Sequence, residues 1–137
     1  GSGSMGLESL SRGAESCVFV DENRECTNTV KLNLRTLRLN GGKVVQADVM
    51  KFIKKVSLSQ YDVIFADPPY WKNTGDRDFV AEMFAAENFA DLLSDDGMLV
   101  IEVDERAEVT PSDDWDLIDR RKYGGCSILF FQKKGEA

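Results

Sequence analysis

The chain has 137 residues, 42% of them apolar and 30% charged, the balance of one ordinary globular domain long enough to bury its own core. It carries no histidine and three scattered cysteines without C-x-x-C spacing, which excludes Ser-His-Asp and Cys-His catalysis, most zinc chemistry and a disulfide framework. A net charge of −7 argues against a tight stand-alone nucleic-acid binder, since the basic residues cluster only at Lys54–Lys55, Arg120–Lys122 and Lys133–Lys134.

No apolar run approaches the roughly 18 residues that cross a bilayer, and no signal peptide opens the chain, so the expected location is the cytoplasm. The first stretch reads GSGSMGLESLSRGA. Residues 1–4 have two readings: an expression scar ahead of a start at Met5, or a glycine-rich turn leading into a helix over Met5–Ser11 that Gly13 closes. In the second, Gly1, Ser2 and Gly3 let backbone N–H groups approach a ligand at a helix N-terminus. Cys17–Val20 is a continuous apolar run ending at Asp21, hence a buried strand with an acid at its tip. In sheets that bind dinucleotides, an acid there accepts hydrogen bonds from ribose hydroxyls. Asp21 equally suits the N-cap of the next helix, and Glu22 competes for the ribose. That helix is expected over Asn23–Leu39, with Cys26, Val30, Leu34 and Leu37 on its core face and Asn40, Gly41 and Gly42 ending it. Another short strand, Val44–Ala47, leads to Asp48 and a helix over Val49–Val56.

The most informative stretch is YDVIFADPPYW, Tyr61–Trp71. Val63–Ala66 is an apolar run that predicts a buried strand, and it halts at Asp67. Pro68 and Pro69 each remove a donor, fix φ and push the preceding residue into an extended conformation, so a stiff turn follows. In an open parallel sheet the carboxyl edge of the strands is where ligands bind. The chemistry suits a planar base with an exocyclic amine. Asp67 and the Pro68 carbonyl can each accept an N–H, and Tyr70 offers a stacking face.

Beyond a polar loop, WKNTGDRD, a helix is expected over Phe79–Leu93. Phe79, Met83, Phe84, Phe89, Leu92 and Leu93 are its candidates for the core. Asp95, Asp96 and Gly97 predict a turn into the strand Met98–Val103. DERAEVTPSDD reads as a solvated acidic connection. Trp115–Arg121 and Ser127–Gln132 read as strands, with RKYGG as the hairpin turn between them. Cys17 and Cys126 lie in apolar runs and read as small core residues. The alternation of strands and helices predicts one α/β domain over residues 1–137, mostly parallel, with antiparallel pairing near the C-terminal edge.

Several of these motifs together resemble a known family. D-P-P-Y after an apolar strand is similar to the catalytic motif of amino-directed, S-adenosylmethionine-dependent methyltransferases. The opening string and R-R-K-Y-G-G-C-S-I-L-F-F resemble the glycine turn and terminal hairpin of RsmD-type enzymes, which methylate a guanine amine in 16S ribosomal RNA. The length of the opening string favours a glycine turn over a scar. The resemblance implies a Rossmann-like sheet and S-adenosylmethionine as cofactor. It implies ribosomal RNA or the small ribosomal subunit as partner, and neither membrane nor metal. Gly1, Ser2, Gly3, Asp21, Glu22, Asp48 and Val49 would bind the cofactor, Asp48 meeting the adenine amine and Val49 packing near the ring. Asp67, Pro68, Pro69 and Tyr70 would be catalytic, with Tyr70, Arg121 and Tyr123 toward the substrate. In the family, a basic hairpin and the first, central strand precede the glycine turn, and this chain is expected to start after both. Two strands then lose a neighbour. Another polypeptide can supply the strand, the sheet can close up, or another segment can fill the gap. Two other readings stay open: a non-catalytic module that binds cofactor or a partner, and an adenine or cytosine amino-methyltransferase acting on DNA.

Overall fold

The computed structural model describes residues 3–55, 61–68 and 78–134. Pro69, Tyr70 and residues 71–77 of the polar loop, like Gly1 and Ser2, lie outside the described residues. The chain forms two compact units, Gly1–Lys55 and Val56–Ala137.

The first unit runs α1 (Ser4–Ser11), β1 (Cys17–Asp21), α2 (Arg24–Thr36), β2 (Gly42–Gln46) and α3 (Val49–Lys55). β1 and β2 pair in parallel, Cys17 with Gly42 through Asp21 with Gln46. Gly3 holds the N-cap of α1 in the left-handed region, φ 79°, where a side chain would be strained. The N-cap of α2 is Asn23, whose side chain accepts from the Cys26 N–H, so Asp21 is not the cap. α2 stops three residues before the expected Leu39. Arg38 turns left-handed at φ 55°, and the Leu39 N–H closes back on the Leu34 carbonyl at 3.0 Å. The core face of α2 differs from expectation too. Thr27 and Val30 are buried, whereas Leu37, the C-cap just beyond the helix, is 57% exposed.

The second unit runs β3 (Tyr61–Ala66), α4 (Phe79–Ala85), a short 3₁₀ turn (Ala90–Leu92), β4 (Leu93–Asp104), β5 (Trp115–Tyr123) and β6 (Cys126–Lys133). Its sheet order is β3-β4-β6-β5, with β3–β4 parallel and both pairs involving β6 antiparallel. Across the described residues there are thus two parallel and two antiparallel pairings. The helix expected over Phe79–Leu93 breaks after Ala85, and Leu93 already belongs to β4. Asp95, Asp96 and Gly97 do not form a turn. They bulge inside β4, where Tyr61 pairs with Leu93 and Val63 with Met98, so β4 carries three extra residues. Gly97 is required there, because a Cβ would stand 2.6 Å from Leu93 Cγ and 3.0 Å from the Asp62 carbonyl oxygen.

The core of this unit gathers Phe84, Phe89, Trp115 and Phe131, whose rings meet mostly edge to face at centroid distances of 5.3–6.2 Å. Lys133 closes one end: its half-buried ammonium donates to the carbonyls of Ala90 and Leu93 at 3.1 and 2.6 Å and pairs with Asp95 at 3.4 Å. Two expectations of burial fail. In β3, Val63 and Phe65 are 45% and 42% exposed, and Cys17 and Cys126 are half-buried rather than core. β3 pairs on one edge only among the described residues, as does β1, which leaves such strands less covered than a central strand. No described helix is long and apolar enough to cross a membrane.

Candidate active site

In the first unit the carboxyl ends of β1 and β2 lie side by side, because the parallel register sets Asp21 against Gln46 and the Ala47 N–H donates to the Asp21 carbonyl at 3.0 Å. The acids that follow each strand therefore share one edge. Asp21 accepts from the Asn23 N–H through Oδ1 at 2.8 Å, and Asp48 accepts from the Met50 and Lys51 N–H groups at 2.8 and 3.3 Å. Both carboxylates are thereby pinned by their own turns, an arrangement that orients them without large motion. The Gln46 side-chain amide donates to the Glu22 carbonyl at 3.4 Å.

A cavity of about 490 Å³ opens there, lined by Glu22, Val45, Gln46, Ala47, Asp48, Lys51, Phe52 and Lys55. That size lies in the usual range for small-molecule sites. Its lining fits an adenosine-bearing cofactor: the Glu22 and Asp48 carboxylates as acceptors for hydroxyl and amine hydrogens, and the Phe52 ring as an apolar wall. Glu22 and Asp48 line it, while Asp21 and Val49 border it in sequence without lining it. Phe52, Gln46 and Lys51 carry no sequence signal of a site, although Asp48 and Phe52 stand at i and i+4, the spacing that shares a helix face. At Gly3 a Cβ would lie 2.8 Å from Val30 Cγ2 and 3.2 Å from the Phe19 ring, so packing and the positive φ both call for glycine at that point.

In the second unit Asp67 and Pro68 leave the carboxyl end of β3 as the sequence predicts. The parallel register pairs Ala66 with Ile101, which sets Asp67 beside Glu102. Although Asp67 is more than a third exposed, partial burial and then the Glu102 carboxylate push its carboxyl above the ordinary range. Cys126 opens β6 opposite Asp104, and its thiol contacts the Tyr123 carbonyl at 3.1 Å. Partial burial, followed by Glu102 and Asp67, pushes that thiol upward as well. Arg121 is exposed and already engaged. It pairs with Asp119 at 3.0 Å and lies 5.3 Å over the Phe130 ring. Tyr123 is 53% exposed at the hairpin turn.

Arg120, in the sequence only a member of a basic cluster, ties this edge together. It donates to the Glu105 carbonyl at 3.1 Å and to the buried Ser127 hydroxyl at 3.3 Å, fastening the acidic connection to the hairpin. No cluster of three or more metal-ligating side chains occurs among the described residues.

Residues 1–132 match the family model described as Conserved hypothetical protein 95. The chain is 34% identical to a Bacillus subtilis protein named "Putative rRNA methyltransferase YlbH", over 98% of this chain and 73% of that one. It is 27% identical to the Haemophilus influenzae "Ribosomal RNA small subunit methyltransferase D", over 96% of this chain and 67% of that one. Among solved structures, "Putative methyltransferase yhhF from Escherichia coli" superposes with a TM-score of 0.80 at 25% identity, covering 99% of this chain and 72% of that one.

Proposed function

The chain belongs to the Conserved hypothetical protein 95 family, that of the RsmD-type ribosomal RNA methyltransferases, and from this membership we propose that it methylates the exocyclic amine of a guanine in 16S ribosomal RNA. The observation that carries this reading is the Asp67–Pro68 turn at the carboxyl end of β3. S-adenosylmethionine, when bound, supplies an electrophilic methyl carbon on a sulfonium centre. In the first unit Glu22 in the cavity wall, or Asp21 at its border, would hold the ribose hydroxyls and Asp48 the adenine amine, with Gln46 and Phe52 completing the wall.

In the second unit the Asp67 carboxylate and the Pro68 carbonyl accept the two N–H groups of the target amine. Guanine's amine is a poor nucleophile because its lone pair is delocalised into the ring. Two acceptors draw that lone pair out of conjugation and aim it, so positioning and electrostatics supply most of the rate. The proton leaves after attack, when the nitrogen is acidic, and no general base of matched pKa is needed. Tyr70 stacks on the base, and Arg121 and Tyr123 meet the RNA from the hairpin.

A second reading, a module that binds cofactor or a partner without turnover, is favoured by one observation: among the described residues β1 and β3 each have a single strand partner. The test separates the two. S-adenosylmethionine binding is measured by calorimetry, then transfer of labelled methyl to small-subunit ribosomal RNA, with the product nucleoside identified by mass spectrometry. The enzyme reading expects N2-methylguanosine, and Asp67→Ala is expected to lower kcat by about 100-fold or more with cofactor affinity nearly unchanged. Cofactor binding with no methyl transfer by the full-length protein would establish the second reading instead.

A further inference from the structure

We propose that Glu102 restricts the acceptor base to guanine by accepting its ring N1–H while Asp67 and the Pro68 carbonyl hold the amine. The inference rests on the methyltransferase reading above and adds to it the residue that selects the base.

The placement comes from sheet register. Ala66 pairs with Ile101, so Asp67 and Glu102 leave adjacent parallel strands at the same level, roughly 4.8 Å apart at the backbone. Ile101 and Val103 are fully buried on one face of β4, which turns the half-buried Glu102 side chain to the other. Cys126 and the Tyr123 carbonyl stand along the same edge, where the hairpin begins.

Neither carboxylate is neutralised by a lysine or arginine among the described residues. The nearby arginines are committed elsewhere: Arg106 to Asp104, Arg120 to main-chain carbonyls and Ser127, Arg121 to Asp119. Partial burial first, and then Glu102, push the Asp67 carboxyl upward, consistent with this placement. Two like charges held together with no lysine or arginine between them among the described residues oppose stability, and such arrangements concentrate at sites where a ligand supplies further donors.

The ligand that fits is a base with two adjacent N–H donors on its Watson–Crick edge. Guanine presents the amine and N1–H side by side. Adenine and cytosine place a bare acceptor nitrogen beside their amine, and a second carboxylate there would face a lone pair. A site that hydrogen-bonds an N–H rejects an analogue lacking it far more strongly than shape alone does, because the buried acceptor is left unpaired.

2-Aminopurine separates the alternatives, since it keeps the 2-amine but lacks the N1 proton. The full-length protein is first used to locate the guanine it methylates. RNA fragments carrying guanine or 2-aminopurine at that nucleotide are then compared by kcat/KM. The parent is expected to prefer guanine by at least about tenfold. Glu102→Ala is expected to bring the two rates to within about threefold, chiefly by losing guanine, and the similarly shaped Glu102→Gln to fall between. A general loss of structure would depress both substrates alike and leave the ratio unchanged. An unchanged ratio in both folded variants overturns the role of Glu102. So does a parent that treats the two bases equally, a result that needs no variant. If the parent binds S-adenosylmethionine but methylates no guanine, the underlying reading fails, and this one with it.

Discussion

At Asp67 the requirements of stability and of chemistry point in opposite directions. Its carboxyl is held above the ordinary range by partial burial and by Glu102. A folded-state pKa above the unfolded value means a contribution to stability that is full below the unfolded pKa, near 3.9, and lost as pH rises through the folded value. Ionised Asp67 therefore costs the folded state some stability at neutral pH. Asp67→Asn is expected to raise the thermal midpoint slightly at pH 7, by about 2 °C or less, since a partly exposed charge is screened. The gain should vanish below about pH 4. Unfolding followed by circular dichroism at the two pH values checks this, and a lower midpoint for the variant at pH 7 would contradict it. The sequence shows Asp67 and its prolines plainly. It does not show Glu102 as a neighbour, because 35 residues of chain separate them and only strand register brings them together.

Among the elements, α1 shows how a motif can be legible while its physical reason is not. Gly3 suggests a backbone that approaches a ligand, and both Gly3 and Gly6 also lie against side chains of the protein. At Gly6 a Cβ would meet the Phe19 ring, 2.7 Å from Cζ, and Cys17 Sγ at 2.8 Å. The helix thus lies close on β1 because these positions are bare. Alanine has the better intrinsic helix propensity by about 1 kcal/mol, but overpacking against a ring and a strand residue outweighs that. Gly6→Ala is expected to destabilise the chain by roughly 1–3 kcal/mol, measured by urea denaturation. An unchanged or higher midpoint would show that Phe19 yields freely. β4 carries a similar lesson: Asp95, Asp96 and Gly97 have turn composition, but the flanking apolar residues keep both ends in one strand, so the extra residues become a bulge.

For the molecule as a whole, the two units are unequal in cohesion. β4 is paired along both edges within a four-stranded sheet over an aromatic core, whereas β1 and β2 form a two-stranded sheet, a size that is marginal without added contacts. Local opening should follow this difference. Backbone amides of β1 and β2 are expected to exchange with solvent at least about tenfold faster than those of β4 and β6. S-adenosylmethionine at 100 times its Kd should slow exchange around the cavity of Asp48 and Phe52 by up to about 2.7 kcal/mol of added protection. Hydrogen exchange read by mass spectrometry checks both. Equal exchange in the two sheets would contradict the first, and exchange insensitive to the cofactor would remove the cofactor assignment from the first unit.

What the sequence determined by itself was set by local chemistry. Apolar runs of strand length, acids at their carboxyl ends, Pro68 after Asp67 and the glycine pair of the hairpin are all short-range signals, and each stands at or near its expected place. The α/β class and the family resemblance follow from their order. Tertiary structure decided what depends on residues distant in the chain. It set Asp67 beside Glu102 and gathered Glu22, Gln46, Asp48 and Phe52 around one cavity. It brought Lys133 and Arg120 onto carbonyl oxygens, and it left Val63 and Phe65 exposed on β3. Which face of a strand is covered, and which charge meets which, depends on strand register and on the neighbours each strand acquires. Neither is written in the period of a short apolar run.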